Sequence, residues 1–211
     1  MMQVKCFEFN FLPVNTYIIW DETKEAAIID PGCYFKGETD KLASFISDNG
    51  LQVKLLLNTH LHFDHVFGNS FVEETYGVKA KANDLDMPWI KTISARLAAF
   101  GLRYEGHVNP IEPENVLNEG NTVCFGHTTL HVLHIPGHSP GSLVFWNKEQ
   151  KCIFTGDAIF QGSYGRTDFP DGNYEALMTG IRTKLLTMPD DTVAYPGHGP
   201  LTTIKHERNY Y

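Results

Sequence analysis

Residues 58–65 read NTHLHFDH, and a fold that accepts this run must bring four ligand-type side chains together within six positions. His60, His62, Asp64 and His65 have the spacing of metal ligands. In an extended segment residues i and i+2 point the same way, so His60 and His62 can grip one cation. A turn directly after them swings Asp64 and His65 toward a second, whereas a helix would send the two imidazoles to different faces. The plain alternative is a polar surface loop.

Three later segments argue against that alternative. HVLHIPGHS, CIFTGD and VAYPGH each read as an apolar strand that ends in glycine and then a metal-type ligand: His138, Asp157 and His198. The preceding Gly137, Gly156 and Gly197 permit turns or close approaches that a Cβ would obstruct. Five histidines and two aspartates are too many donors for one tetrahedral ion and suit two metals that share a carboxylate. His60, His62 and His138 are assigned to one metal, Asp64, His65 and His198 to the other, and Asp157 to both. Two divalent ions, zinc first with iron or manganese also accepted by such ligands, would hold a bridging hydroxide that attacks a carbonyl. Asp64 is the candidate catalytic residue that orients the water. A thiolate leaves with little acid assistance, so a thioester suits a site with no evident proton donor.

The rest of the chain is consistent with one domain over residues 1–211. Strands are expected at 4–9, 16–20, 26–29, 53–57, 122–125, 129–135, 143–146, 152–154 and 193–195, and helices at 36–49, 84–100 and 174–186. This mixed α and β plan suggests two packed sheets with helices outside. The balance of 17 basic to 25 acidic residues, net charge −8, disfavours nucleic acid as a partner and leaves a small molecule. No apolar stretch reaches membrane-spanning length, and the N-terminus lacks an export-signal pattern. Cys6, Cys33, Cys124 and Cys152 form no CxxC pair and read as reduced core residues of a cytoplasmic protein, two disulfides in an exported one being the alternative.

THLHFDH, PGHSPGS, FTGD and PGHG, in this order across residues 59–199, resemble the metallo-β-lactamase superfamily. The resemblance implies an α+β fold, a four-layer αββα sandwich with metals at one edge of the paired sheets. GDAIFQGSYGRTDFP (156–170) and PGHGPLTTIKHE (196–207) are most similar to short, single-domain glyoxalase II proteins, akin to hydroxyacylglutathione hydrolases. This implies hydrolysis of hydroxyacyl thioesters such as S-lactoylglutathione. Larger glyoxalase II enzymes hold glutathione with a C-terminal helical extension, which is not expected from this sequence. They also carry a lysine and a tyrosine after the bridging aspartate, where this chain offers Tyr164, Arg166 and Asp168. Arg166 is a candidate clamp for a substrate carboxylate, and pairing with Asp168 is its plain alternative.

GRTDF also resembles persulfide dioxygenases, which use one iron on ligands corresponding to His60, His138 and Asp157. A metal-stabilised binding module without turnover is the third reading. The commonest β-lactamases fit less well, having Cys at the place of Asp157. His134 is a candidate hydrogen-bond support for the metal ligands, while His107, His127, His131 and His206 are expected at surfaces or edges. Phe63, Trp89, Phe160, Tyr164 and Phe169 are candidates to line a substrate groove.

Overall fold

The computed structural model of the protein describes residues 1–211 apart from Phe100 and Glu105. Its first sheet has the order β1 (Gln3–Phe9), β2 (Val14–Trp20), β3 (Glu25–Ile29), β4 (Gln52–Leu57) and β5 (Ala80–Lys81). Between them lie the helices α1 (Lys36–Asp48), α2 (Phe63–Val66) and α3 (Asn69–Tyr76), and beyond them α4 (Met87–Ile90) and α5 (Ile93–Ala99). The second half supplies β6 (Thr122–Phe125), β7 (Thr128–His134), β8 (Leu143–Asn147) and β9 (Cys152–Gly156). A short hairpin, β10 (Ile159–Phe160) with β11 (Ser163–Tyr164), precedes α6 (Tyr174–Gly180), β12 (Val193–Pro196), β13 (Thr202–Thr203) and α7 (Ile204–Glu207). The second sheet runs β13-β12-β9-β8-β7-β6.

Period-two alternation within buried strands builds the layers. Ile18, Ala26 and Ile28 face one way, where Leu42 and Ile46 of α1 and Ile93 and Leu97 of α5 cover them. Their neighbours Ile19, Ala27 and Ile29 face the other sheet, meeting Leu130, Leu143, Phe145 and Phe154. On the far side of that sheet, Val144 and Ile153 pack against Leu177, Met178 and Ile181. Strands apolar on both faces are what a doubly covered sheet requires, and the result is the αββα sandwich expected from the motifs.

Direction explains why ligands distant in sequence converge. β7 and β9 are both antiparallel to β8, and β12 is parallel to β9, so β7, β9 and β12 all point the same way. The loops that carry His138, Asp157 and His198 therefore emerge at one edge of the sheet. Leu143 N donates to Thr59 O at 2.7 Å and Asn15 N to Gly197 O at 2.7 Å, which ties the segment after β4 and the start of β2 to that same edge.

Three expectations need correction. The helix expected over 84–100 is a 3-10 turn (Asp84–Asp86) followed by α4 and α5, because Pro88 has no N–H for an interior turn and sits in the first turn of α4 instead; Phe100 lies outside the described residues. The helix expected over 174–186 is α6 followed by a widened π turn at Ile181–Leu185. Cys33 and Cys152 are buried, but Cys6 and Cys124 are exposed, since each lies on an edge strand at a position alternating with inward residues; all four thiols are free. Among the described residues no helix is long and apolar enough to cross a membrane.

At the opposite end of the sandwich, Asp21 joins the turn after β2 to the β6–β7 turn. Its carboxylate accepts from Thr23 N and Oγ1 and, across the sheets, from His127 N at 2.7 Å and Thr128 Oγ1 at 2.9 Å. Burial alone would raise this carboxyl, and the hydrogen bonds outweigh it, lowering it from 3.8 to about 2. A depressed carboxyl stabilises the fold above its unfolded value and ceases to do so as pH falls through its folded one. Asp21→Ala is expected to lower stability by about 1–3 kcal/mol at neutral pH. In urea unfolding at stepped pH, the gap to the parent should close between pH ~4 and ~2.

Candidate metal centre

β4 delivers the run 58–65 to the sheet edge, with His62 on extended backbone and Asp64 and His65 turned back by α2. All seven residues singled out in the sequence meet there. The ligand-type atoms of His60, His62 and His138 lie within 4.8 Å of one another, as do those of Asp64, His65 and His198. Asp157 lies between the two groups: Oδ1 is 3.4 Å from His65 Nε2, and Oδ2 is 3.4 Å from His138 Nε2 and 3.7 Å from His198 Nε2. Asp64 Oδ2 is 3.4 Å from His198 Nε2.

The imidazoles are oriented from behind. Nδ1 of His60 meets Thr59 Oγ1 at 3.1 Å, Nδ1 of His65 meets Asp30 Oδ2 at 3.0 Å, Nδ1 of His138 meets Arg166 O at 2.9 Å and Nδ1 of His198 meets Pro13 O at 3.1 Å. Each of these four rings thereby turns Nε2 inward, the arrangement by which outer partners fix a metal-binding histidine. His62 is reversed, with Nδ1 2.9 Å from His138 Nε2.

Nε2 of His60 and His65 and Oδ1 of Asp157 are buried without a hydrogen-bond partner among the described residues. Buried polar atoms are rarely left so, and these are lone-pair donors of the type that cations bind. The residues present therefore fit a pair of metal ions.

The electrostatics agree with that fit. Burial lowers His60 and His62 far below the usual histidine range, and the neighbouring imidazoles add to it, so their lone pairs are free. Burial would raise Asp157, but His65, His138 and His198 outweigh it and hold the carboxyl well below its usual range. For His65 burial works against the charged form, yet Asp157, Asp64 and Asp30 lift it well above the ordinary value. A cation taking its place among those carboxylates would release a proton.

Two supporting residues went unnoticed in the sequence. Asp30, buried at the end of β3, accepts from Thr59 N at 2.7 Å and Thr59 Oγ1 at 2.6 Å while facing His65. The signal was available, an apolar strand ending in an aspartate, as at Asp157. Asp86, also buried, accepts from Ser139 Oγ at 2.7 Å, Gly141 N at 2.6 Å and Leu61 N at 3.2 Å, and so joins the HxH segment to the His138 loop. His134, a candidate support for the ligands, instead meets Pro140 O with its Nε2 at 2.7 Å.

A cleft of about 750 Å³ opens over the cluster. Phe63, Trp89, Phe160, Tyr164 and Phe169, the five aromatic candidates, all line it. Arg166 lines it too, but its guanidinium is tied bidentately to Asp168 at 2.6 and 2.7 Å.

The sequence model of the metallo-beta-lactamase superfamily matches residues 9–198. The chain belongs to the metallo-β-lactamase superfamily. Within it, the hydroxyacylglutathione hydrolase GloC of Haemophilus influenzae is 38% identical over 209 residues, 98% of this chain and 95% of that one. Among solved superfamily structures, the BLEG-1 B3 metallo-beta-lactamase superposes with a TM-score of 0.86 at 30% identity, covering 98% of this chain and 97% of its own. TTHA1623 in a di-iron-bound form gives 0.85 at 34% identity, with 98% of each chain covered.

Proposed function

We propose that the chain acts as a single-domain, two-metal hydrolase of thioesters such as S-lactoylglutathione. The observation that carries this reading is the placement of Asp157 between two trios of ligand-type atoms, with the inward Nε2 of His60 and of His65 left without a hydrogen-bond partner among the described residues. His60, His62 and His138 would hold one ion, Asp64, His65 and His198 the other, and Asp157 both. Bound there, divalent cations would lower the pKa of water toward neutrality and polarise a carbonyl. Zinc suits these ligands, and the di-iron-bound form of TTHA1623 supports iron as well.

The chain's own residues do the rest. Asp64, ionised and buried at the cleft floor, orients the attacking water. The aromatic walls exclude bulk water and receive the apolar part of the substrate. A thiolate leaves unaided, which fits a cleft floor whose ionised carboxylates have no proton to donate. The 38% identity to the GloC hydrolase supports a hydroxyacylglutathione substrate. Residues 165–169, GRTDF, favour a second reading, a mono-iron persulfide dioxygenase on His60, His138 and Asp157.

The test is metal content of protein purified without added metal, with three assays: thioester hydrolysis, oxygen uptake on glutathione persulfide, and β-lactam opening. Two ions per chain and thioester turnover are expected, and His65→Ala should lose one ion and the turnover together. One iron with persulfide-dependent oxygen uptake, unaffected in that variant, supports the dioxygenase. Metal without any turnover leaves a metal-stabilised binding module, and β-lactam opening alone would move the substrate to that of the BLEG-1 relative.

A further inference from the structure

Two arginines, Arg96 and Arg166, line the cleft over the cluster, and their guanidinium groups are in opposite conditions. Arg166 is neutralised by the fork-to-fork pair with Asp168. Arg96 lies over the ring of Trp89, 3.5 Å from its centroid, and its Nε donates to Thr92 Oγ1 at 3.0 Å. Among the described residues, its two terminal nitrogens have no hydrogen-bond acceptor and no carboxylate pairs with it.

The platform beneath Arg96 is rigid. Trp89 is buried, its Nε1 donates to Asp171 Oδ2 at 2.7 Å, and its ring lies 4.0 Å from that of His62. The guanidinium lies over the indole, and the indole meets the imidazole edge-on at an interplanar angle of 63°, so contact is continuous from the cleft wall to the His and Asp cluster. Asp171 attracts Arg96 without forming an ion pair and is occupied by the indole. A planar guanidinium fixed through its stack and Nε, with both terminal amino groups unspent, is shaped to take a carboxylate through two parallel hydrogen bonds. In a chain of net charge −8, an uncompensated guanidinium at the cleft wall favours an anionic group at that point.

We propose that Arg96, stacked on Trp89, is a specificity-determining residue that binds a carboxylate of the substrate remote from the scissile bond. The preferred substrates are then carboxylate-bearing thioesters rather than neutral ones. This rests on the thioester reading for the substrate class but not for the existence of the carboxylate site.

Arg96→Gln and Arg96→Lys are to be compared with the parent on S-lactoylglutathione and on the same thioester with both carboxylates as ethyl esters. Loss of a charged hydrogen-bonding pair predicts a KM for the acid raised about 10- to 100-fold in Arg96→Gln, less in Arg96→Lys, with kcat within about twofold. The diester should be turned over alike by all three. Equal losses on both substrates, or none on either, would overturn the proposal. Calorimetric binding of S-hexylglutathione, a thioether that cannot be hydrolysed, and of its diethyl ester separates the two claims. Should the parent bind the acid tightly and the ester weakly, with the difference lost in Arg96→Gln, the carboxylate site stands even if no thioester is hydrolysed. Should the parent bind both alike, or neither, the site is refuted even if thioesters are hydrolysed.

Discussion

Replacing Asp157 with alanine is expected to lower thioester hydrolysis by more than about 100-fold, the upper end for losing merely an orienting partner of a metal ligand. Asp157 differs from the other six because its two oxygens face different neighbours, Oδ1 toward His65 and Oδ2 toward His138 and His198. Losing a histidine from either trio would weaken one ion, whereas losing Asp157 removes a charged donor from both. Metal measured on purified Asp157→Ala should therefore fall below one ion per chain, while His65→Ala keeps one. The fold should survive, because Asp30 and Asp64 still face His65 and leave no bare buried imidazolium. Two tightly held ions in Asp157→Ala, folded by urea titration and with turnover intact, would refute a shared carboxylate.

Most of this centre could be read from the chain because its ligands sit where short-range rules apply. His60 and His62 are separated by the two-residue period of extended backbone, and Asp157 and His198 follow glycines at the ends of apolar strands. The order of strand runs and helices suggests two packed sheets and the family resemblance implies the four layers, which the structure realises with Ile18 against Ile19 and Ile28 against Ile29 facing two different apolar layers. What escaped depends on contacts distant in sequence. Asp86 acts through amides and a hydroxyl some 25 and 53–55 positions away, so within its own segment it looked like one more polar residue on a helix. Arg166 stands out in the sequence beside Asp168, whereas nothing local marks Arg96. Only the fold shows that Asp168 holds one and that Trp89 supports the other without neutralising it.

Gly197→Ala tests how tightly the backbone is drawn around the cluster. A Cβ at position 197 would fall on Asp157 Oδ1 and come within 2.8 Å of His65 Cε1, closer than real Cβ atoms approach other groups. The backbone cannot easily retreat. Gly197 N donates to Gly156 O at 2.8 Å on one side, and Asn15 N donates to Gly197 O at 2.7 Å on the other. The side chains must give way instead, and they are the carboxylate and the imidazole on which the two trios converge. A displacement of about 1 Å at reacting groups costs on the order of 100-fold in rate, and overpacking of this kind costs about 1–3 kcal/mol in stability. Gly197→Ala is accordingly expected to remain folded, with a modestly lower urea midpoint, and to lose about 100-fold in kcat/KM and much of its metal. Gly37→Ala, in the first turn of α1 with open space around the added methyl, should leave both unchanged. Normal metal loading and turnover in Gly197→Ala would mean that Asp157 and His65 have room the structure does not give them, and that their convergence is not what sets the activity.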